Sequence, residues 1–247
     1  MLAGAIGMCV DSSALHMWLC FGLAMRTGYF GLLRPGELLR VTRRCVRAPS
    51  LDALRRAMSG RPLASYDGPF VAVIVVEDPK NRAFMGRVQA RLVTDFETVC
   101  WFAWWCAYSR PDELLWPYSE HMFMRTFNYC LAFFGFAAGY FSMGGLRAGG
   151  ATYMLESGKD LGAIKFAGCW ASDRAMSSHL QEVAAAVALL DMSRPHHDRL
   201  KAVHLSFGGL RLPPLNRTPA SLLSASCRSR LAEHPMPSLP RGLQPFQ

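Results

Sequence analysis

Residues 126–146 hold no charged side chain, although Arg125 and Arg147 stand at either end of the stretch. A segment like that has to leave water, either in a protein core or in a bilayer. Its unbroken apolar part, residues 129–141, is only 13 residues long. As a helix that spans roughly 20 Å, against a hydrocarbon layer of about 30 Å. Gly135, Gly139, Gly144 and Gly145 also favour a helix that stops early. A buried core helix is therefore the preferred reading, and a membrane protein with a span at 126–146 is the alternative.

With 51% hydrophobic and 18% charged residues, the 247-residue chain is neither a disordered tail nor a collagen-like repeat, and it is long enough to enclose a core. The composition changes after Met192. Eight of the 15 prolines fall within residues 194–247, where eight Lys or Arg face two acids and supply +6 of the net +9. Residues 1–192 are expected to form one folded unit. Residues 193–247 are expected to form a disordered, basic tail, more commonly a solvated terminus without function than a nonspecific phosphate contact. Only four of the 27 basic residues are Lys, so arginine, the better two-pronged phosphate ligand, dominates the cation inventory.

Eight cysteines (Cys9, Cys20, Cys45, Cys100, Cys106, Cys130, Cys169, Cys227) include no CxxC pair. They read as buried thiols in a reducing compartment, with neither a disulfide frame nor a zinc site. The apolar start, residues 1–10, has no basic leading segment and is interrupted by Asp11, so no secretory signal is expected.

Ser12 and Ser13 can cap a helix over 13–28, in which Leu15, Trp18, Leu19, Gly22 and Leu23 recur at helical spacing. Pro35 suits the first turn of a second short helix, with Arg34 at its mouth. The run FVAVIVV at 70–76 reads as a buried strand, and RVQARLVT at 87–94 alternates like its antiparallel partner. Between them EDPKNRAFMG is a turn-rich connection that places Lys80 near a hairpin bend. Residues 98–108, with Trp101, Trp104 and Trp105 and no Arg or Lys, read as a core helix. Further helices are expected over 147–157, 161–166 and, in an alanine-rich stretch, 173–190. The fold class is α+β, mainly helical with a small antiparallel sheet.

Four segments together are more informative than any one: GLLRPGELL at 31–39, the hairpin around Lys80, LRAGGATYMLESGKDLGAIKFAGCW at 146–170, and the helix after it. Over roughly residues 12–190 this order resembles the catalytic domain of the tyrosine recombinase, or phage integrase, family. Members carry a Gly-Leu-Arg-x-x-Glu-Leu-Leu segment, a hairpin lysine, and a His-x-x-Arg opening a small-residue helix. A His or Trp follows, and then a tyrosine about nine residues on. The resemblance implies an integrase-like fold without the family's N-terminal DNA-clamping domain, and an origin in a mobile element. It also implies duplex DNA as partner, assembly of copies on DNA, a location inside the cell wherever DNA lies, and no cofactor or metal.

The family's chemistry also implies roles. A tyrosine hydroxyl attacks a DNA phosphodiester, forming a 3′-phosphotyrosine and releasing a 5′-hydroxyl. Arg34 and Arg147 match the two arginines that fork onto non-bridging oxygens, Lys80 the proton donor to the leaving oxygen, and Trp170 the late His or Trp whose N–H reaches phosphate. Glu37 matches the glutamate that orients the first arginine.

Two departures stand beside these matches. Gly144 occupies the position three before Arg147 where the family has His, and His179 occupies the position nine after Trp170 where the nucleophilic tyrosine is expected. No tyrosine follows Tyr153. Losing a nucleophile costs on the order of a millionfold, or about 8 kcal/mol of barrier. The expectation is a DNA-binding relative of breaking-and-rejoining enzymes that is impaired or inactive in strand cleavage. The alternative to it and to a membrane span is a noncatalytic structural or interaction domain.

Overall fold

The computed structural model describes residues 12–58, 70–80, 82–86, 88–137, 139–180, 187, 190 and 192–206. The apolar start, the middle of the alanine-rich stretch and residues 207–247 of the expected tail lie outside the described residues.

Helix α1 (Ser12–Phe30) is the axis of the core, and buries Trp18, Phe21, Leu23, Ala24 and Met25. Phe21 sits 5.1 Å from Phe123 and 6.1 Å from Trp116, ring centre to ring centre, within the range of favourable aromatic pairs. The chain leaves α1 through Leu32, a buried residue with φ +50°, and enters the one-turn helix α2 (Pro35–Leu38). A 3-10 turn (Arg43–Cys45) leads to the short strand β1 (Val46–Arg47), and α3 (Leu51–Met58) follows.

Strands β2 (Ala72–Val76) and β3 (Gln89–Val93) pair antiparallel from Ala72 opposite Val93 to Val76 opposite Gln89. With β1 on the far side of β2, they make an antiparallel sheet of order β1-β2-β3; β1 had no signal in the sequence. The connection between β2 and β3 includes a one-turn helix, α4 (Arg82–Met85). Pro79 is buried there while Lys80 next to it is exposed. The fold is thus α+β, with a small three-stranded antiparallel sheet among several helices.

Helix α5 (Phe96–Tyr108) starts two residues before the expected position because Asp95 caps it, accepting a bond from the Thr98 amide at 2.9 Å. Its residues 98–105 are all buried, so it is an inner helix, tryptophans included. Helix α6 (Glu120–Phe133) is capped by Ser119 and ends at Phe134, with Gly135 following at φ +85°. That break divides the uncharged stretch 126–146 between the end of α6, a turn region and the first residues of α7 (Gly144–Glu156). Among the described residues no helix is long and apolar enough to cross a membrane. The side chains of Phe123, Phe127, Cys130 and Leu131 are instead absorbed by the core.

Helix α7 lies against α1 at a contact set by small residues. A Cβ built on Gly150 would stand 2.0 Å from the Tyr29 carbonyl oxygen, and one on Gly28 2.9 Å from a Leu146 methyl carbon. The small-residue run around Arg147 therefore brings that arginine next to the end of α1, where Arg34 emerges. Helices α8 (Leu161–Gly168) and α9 (Asp173–Ser177) complete a second small core of Leu32, Ala151, Ile164, Trp170 and Met176.

Two expectations are corrected. The helix expected over 173–190 is interrupted: α9 ends at Ser177, residues 178–180 are non-helical, residues 181–186 lie outside the described residues, and Val187 and Leu190 are again helical. The Ser177 and Ser178 hydroxyls donate to the Asp173 and Ala175 carbonyl oxygens, the kind of local bonding that competes with helix continuation. In the region expected to be disordered, α10 (Arg194–Ser206) is helical. Pro195 sits in its first turn, where proline costs nothing, and His196 packs against Gly135 at the end of α6.

Gly150→Ala should destabilise the protein by about 3 kcal/mol or prevent folding, because the added methyl meets backbone. Gly145→Ala, on the same helix with open space at its Cβ, should be neutral or stabilising by up to about 1 kcal/mol. Thermal or urea unfolding of the two variants distinguishes them.

Candidate anion site

Arg34 is held at both ends by one carboxylate. The Glu37 Oε1 accepts from the Arg34 guanidinium at 2.7 Å and its Oε2 accepts from the Arg34 amide at 3.0 Å, closing the first turn of α2. A second arginine approaches Glu37 from behind. Arg91 on β3 places Nη2 3.6 Å from Oε2 and donates to the Gln89 side-chain oxygen at 3.3 Å. Burial pushes the Glu37 pKa up, but bonding to the Arg34 amide and guanidinium, with the charges of Arg34 and Arg91, outweighs it and leaves the carboxyl below its ordinary value.

Arg91 escaped the sequence reading. Its strand alternates, yet the inward face is Gln89, Arg91 and Val93, while Val88 and Leu92 are 63% and 56% exposed. Apolar alternation points the wrong way here. An arginine in phase with Val93 was the available signal, and nothing local made it stand out.

Arg147 extends from the second turn of α7 and is 2% exposed. Its Nη2 donates to the Gly168 carbonyl at 2.7 Å, and the Trp170 ring covers its face with the guanidinium carbon 4.3 Å from the ring centre. Gly168 is required for that stack, since a Cβ there would come 1.8 Å from the indole. The turn is made by Cys169 at φ +50°. His179 closes the stack, half-buried, with its ring 5.5 Å from that of Trp170.

Arg34, Arg91, Arg147, Trp170 and His179 thus share one neighbourhood. Burial first, then the like charges of Arg34 and Arg91, lowers the Arg147 pKa to about 9, still charged at neutral pH. Burial and the charges of Arg147 and Arg34 lower that of His179, so its imidazole is neutral there. Gly144, which opens α7, brings no ionisable group.

Lys80 lies on the other side of Arg34. Both line a groove of about 730 Å³ between α2 and the β2–β3 connection, together with Arg40, Arg44 and Arg82. Asp78 pairs with Arg82 and, at 3.7 Å, with Arg40, which ties the connection to the chain just after α2.

Five buried donors near this centre have no hydrogen-bond partner among the described residues: Nε and Nη1 of Arg91, Nε and Nη1 of Arg147, and Nε1 of Trp170. Isolated indole N–H groups are also unpartnered at Trp18 and Trp105, but the only charged side chains in that condition are these two arginines. Donors of a guanidinium lie in its plane, so stacking by Trp170 leaves the edge of Arg147 available. Unpaired buried cations are costly, and an oxyanion would satisfy both charge and donors. The described residues include no cluster suited to a metal ion.

Glu37→Gln should destabilise the protein by about 2–3 kcal/mol at pH 7, because two arginines lose their shared counter-charge. Since the folded-state pKa is depressed, this stabilisation is present above the ordinary carboxylate range, near pH 4–5, and is lost as pH falls through the lower folded value. Melting temperature against pH should therefore fall less steeply below pH 4 in the variant than in the wild type.

Comparison of the chain with protein-family models, with curated proteins and with solved structures finds no match.

Proposed function

We propose that this chain is a DNA-binding relative of the tyrosine recombinases, with an integrase-like fold, that grips a backbone phosphate but does not efficiently cut the strand. The single observation that carries this reading is the pairing of Arg34 and Arg91 with one carboxylate beside the buried Arg147, with four guanidinium nitrogens unpartnered. An oxyanion is what such a centre lacks. In the groove beside Arg34 the five cations Arg34, Arg40, Arg44, Lys80 and Arg82 outnumber the three acids Glu37, Glu77 and Asp78, a surplus that favours a polyanionic strand.

The resemblance in motif order favours DNA over other polyanions, and places the protein inside the cell with DNA, where copies assemble side by side. Phosphotyrosine chemistry is absent because His179 stands where the family has tyrosine. The clamp retains electrostatic stabilisation but has no phenol to attack. His179 is neutral and packs on Trp170, and its shorter reach does not replace that phenol.

Duplex binding should weaken steeply with salt. Replacing Arg34 and Arg147 together by Ala should reduce affinity by about tenfold or more and lower the slope of log K against log[salt] by about 2. An unchanged affinity and slope in a folded double variant would remove the clamp.

A nicked suicide duplex should leave no covalent protein–DNA adduct on denaturing gels. His179→Tyr should give at most a trace, because Gly144 supplies no imidazole. A strong adduct with the wild-type chain would contradict the reading.

A further inference from the structure

We propose that the preferred ligand of this centre is a terminal phosphate, the phosphomonoester at the end of a nucleic acid strand, over an internal phosphodiester. The inference rests on the DNA-binding reading and narrows it.

Arg34 and Arg91 lie within ion-pair distance of the Glu37 carboxylate, and Arg147 is close enough to feel all three charges, which leaves the centre at +2 while His179 is neutral. An internal phosphodiester carries a single negative charge and would leave one cation uncompensated. A phosphomonoester is close to a dianion at pH 7, with its second pKa near 6.

A clamp with two surplus charges suits the dianionic phosphorane of strand transfer, and an enzyme of that kind binds this state more tightly than its substrate. In a chain without the nucleophile that state is never formed. The stable species nearest to it in charge is a phosphomonoester.

Arg91 and Arg147 are 1% and 2% exposed, and Trp170, whose N–H is also unpartnered, is 3% exposed. An internal phosphate is flanked by sugars on both sides and stays near the outer residues Arg34 and Lys80. A terminal phosphate is free on one side and can enter edge-on to the inner guanidiniums. The groove beside Arg34 then holds the strand that leads to it.

Arg91 is the residue this assigns beyond the motif. Being third in the set, it turns a site balanced for one negative charge into a site for two.

The test is direct binding of one short duplex in three forms at fixed salt and pH 7.5: hydroxyl at every end, 5′-phosphate, and 3′-phosphate. At least one phosphate-ended form should bind about tenfold more tightly than the hydroxyl-ended form. That advantage should shrink between pH 7 and pH 5 as the monoester takes up its second proton. His179, beside Arg34, Arg147, Arg91 and Glu37, has its pKa lowered by burial and by the charges of Arg147 and Arg34, and a proton taken up there strengthens binding of every form alike, leaving the preference among them unchanged. Arg91→Met, checked for its melting temperature, should lose most of the preference, and Arg91→Lys should recover part of it.

Equal affinity for all three ends overturns this inference and leaves DNA binding standing. Failure of every duplex to bind overturns both. A preference that survives in folded Arg91→Met overturns the role of Arg91. Equal competition by inorganic phosphate or by a phosphopeptide of matched charge overturns the assignment to nucleic acid ends.

Discussion

The burial of several guanidiniums around a single carboxylate is the constraint on which this structure turns. Arg91 and Arg147 are almost wholly removed from water, and Glu37 is the only acid among the charged groups that shift the Arg147 pKa most. Like charges at that depth repel, and each unpaired N–H adds a desolvation cost. The surrounding fold holds them in place: the small-residue contact of α7 on α1 fixes Arg147, the first turn of α2 fixes Arg34, and the β2–β3 register fixes Arg91. Stability has been given up locally for an arrangement that an anion would relieve, which is the usual physical mark of a binding site.

The face of Arg147 and its edge are put to different uses. Trp170 covers the face, and Gly168 both accepts one bond from the guanidinium and makes room for the indole. What remains available is the edge, where hydrogen bonds to an oxyanion are made. His179 completes the stack from outside and stays neutral because of its burial and the nearby arginines, so it adds no further repulsion at physiological pH. This division suits holding a phosphate and contributes nothing to attacking one, in keeping with the proposed loss of cleavage.

Much of the scaffold was legible because local chemistry and global packing agree. The β-branched run ending at Val76 and the alternating run around Leu92 pair as expected, and Pro35 opens a helix as expected. The uncharged stretch 126–146 is divided by the turn at Gly135. Where legibility failed, a nonlocal demand overrode the pattern. Val88 and Leu92 would be buried by any rule of apolar alternation, yet the strand turns Arg91 inward to Glu37. The helix breaks after Ser177, where Trp170, Met176 and Leu180 pack onto the second core. Helix α10 was hidden by the proline count, since a proline in the first turn reads as a breaker until its position is known. The site itself was readable only as separated residues. That Arg34 comes close enough to lower the Arg147 pKa, and that Arg91 joins them, is a consequence of the α1–α7 contact and the sheet register.

The most direct test of the central claim, that these buried cations form an oxyanion site, is the melting temperature of the full chain titrated with inorganic phosphate against chloride at matched ionic strength. The account predicts stabilisation by phosphate that rises with the logarithm of its concentration above Kd, reaching about 2.7 kcal/mol at a hundredfold excess over Kd, and its loss in Arg147→Met. Identical melting curves in the two salts across the titration would contradict it.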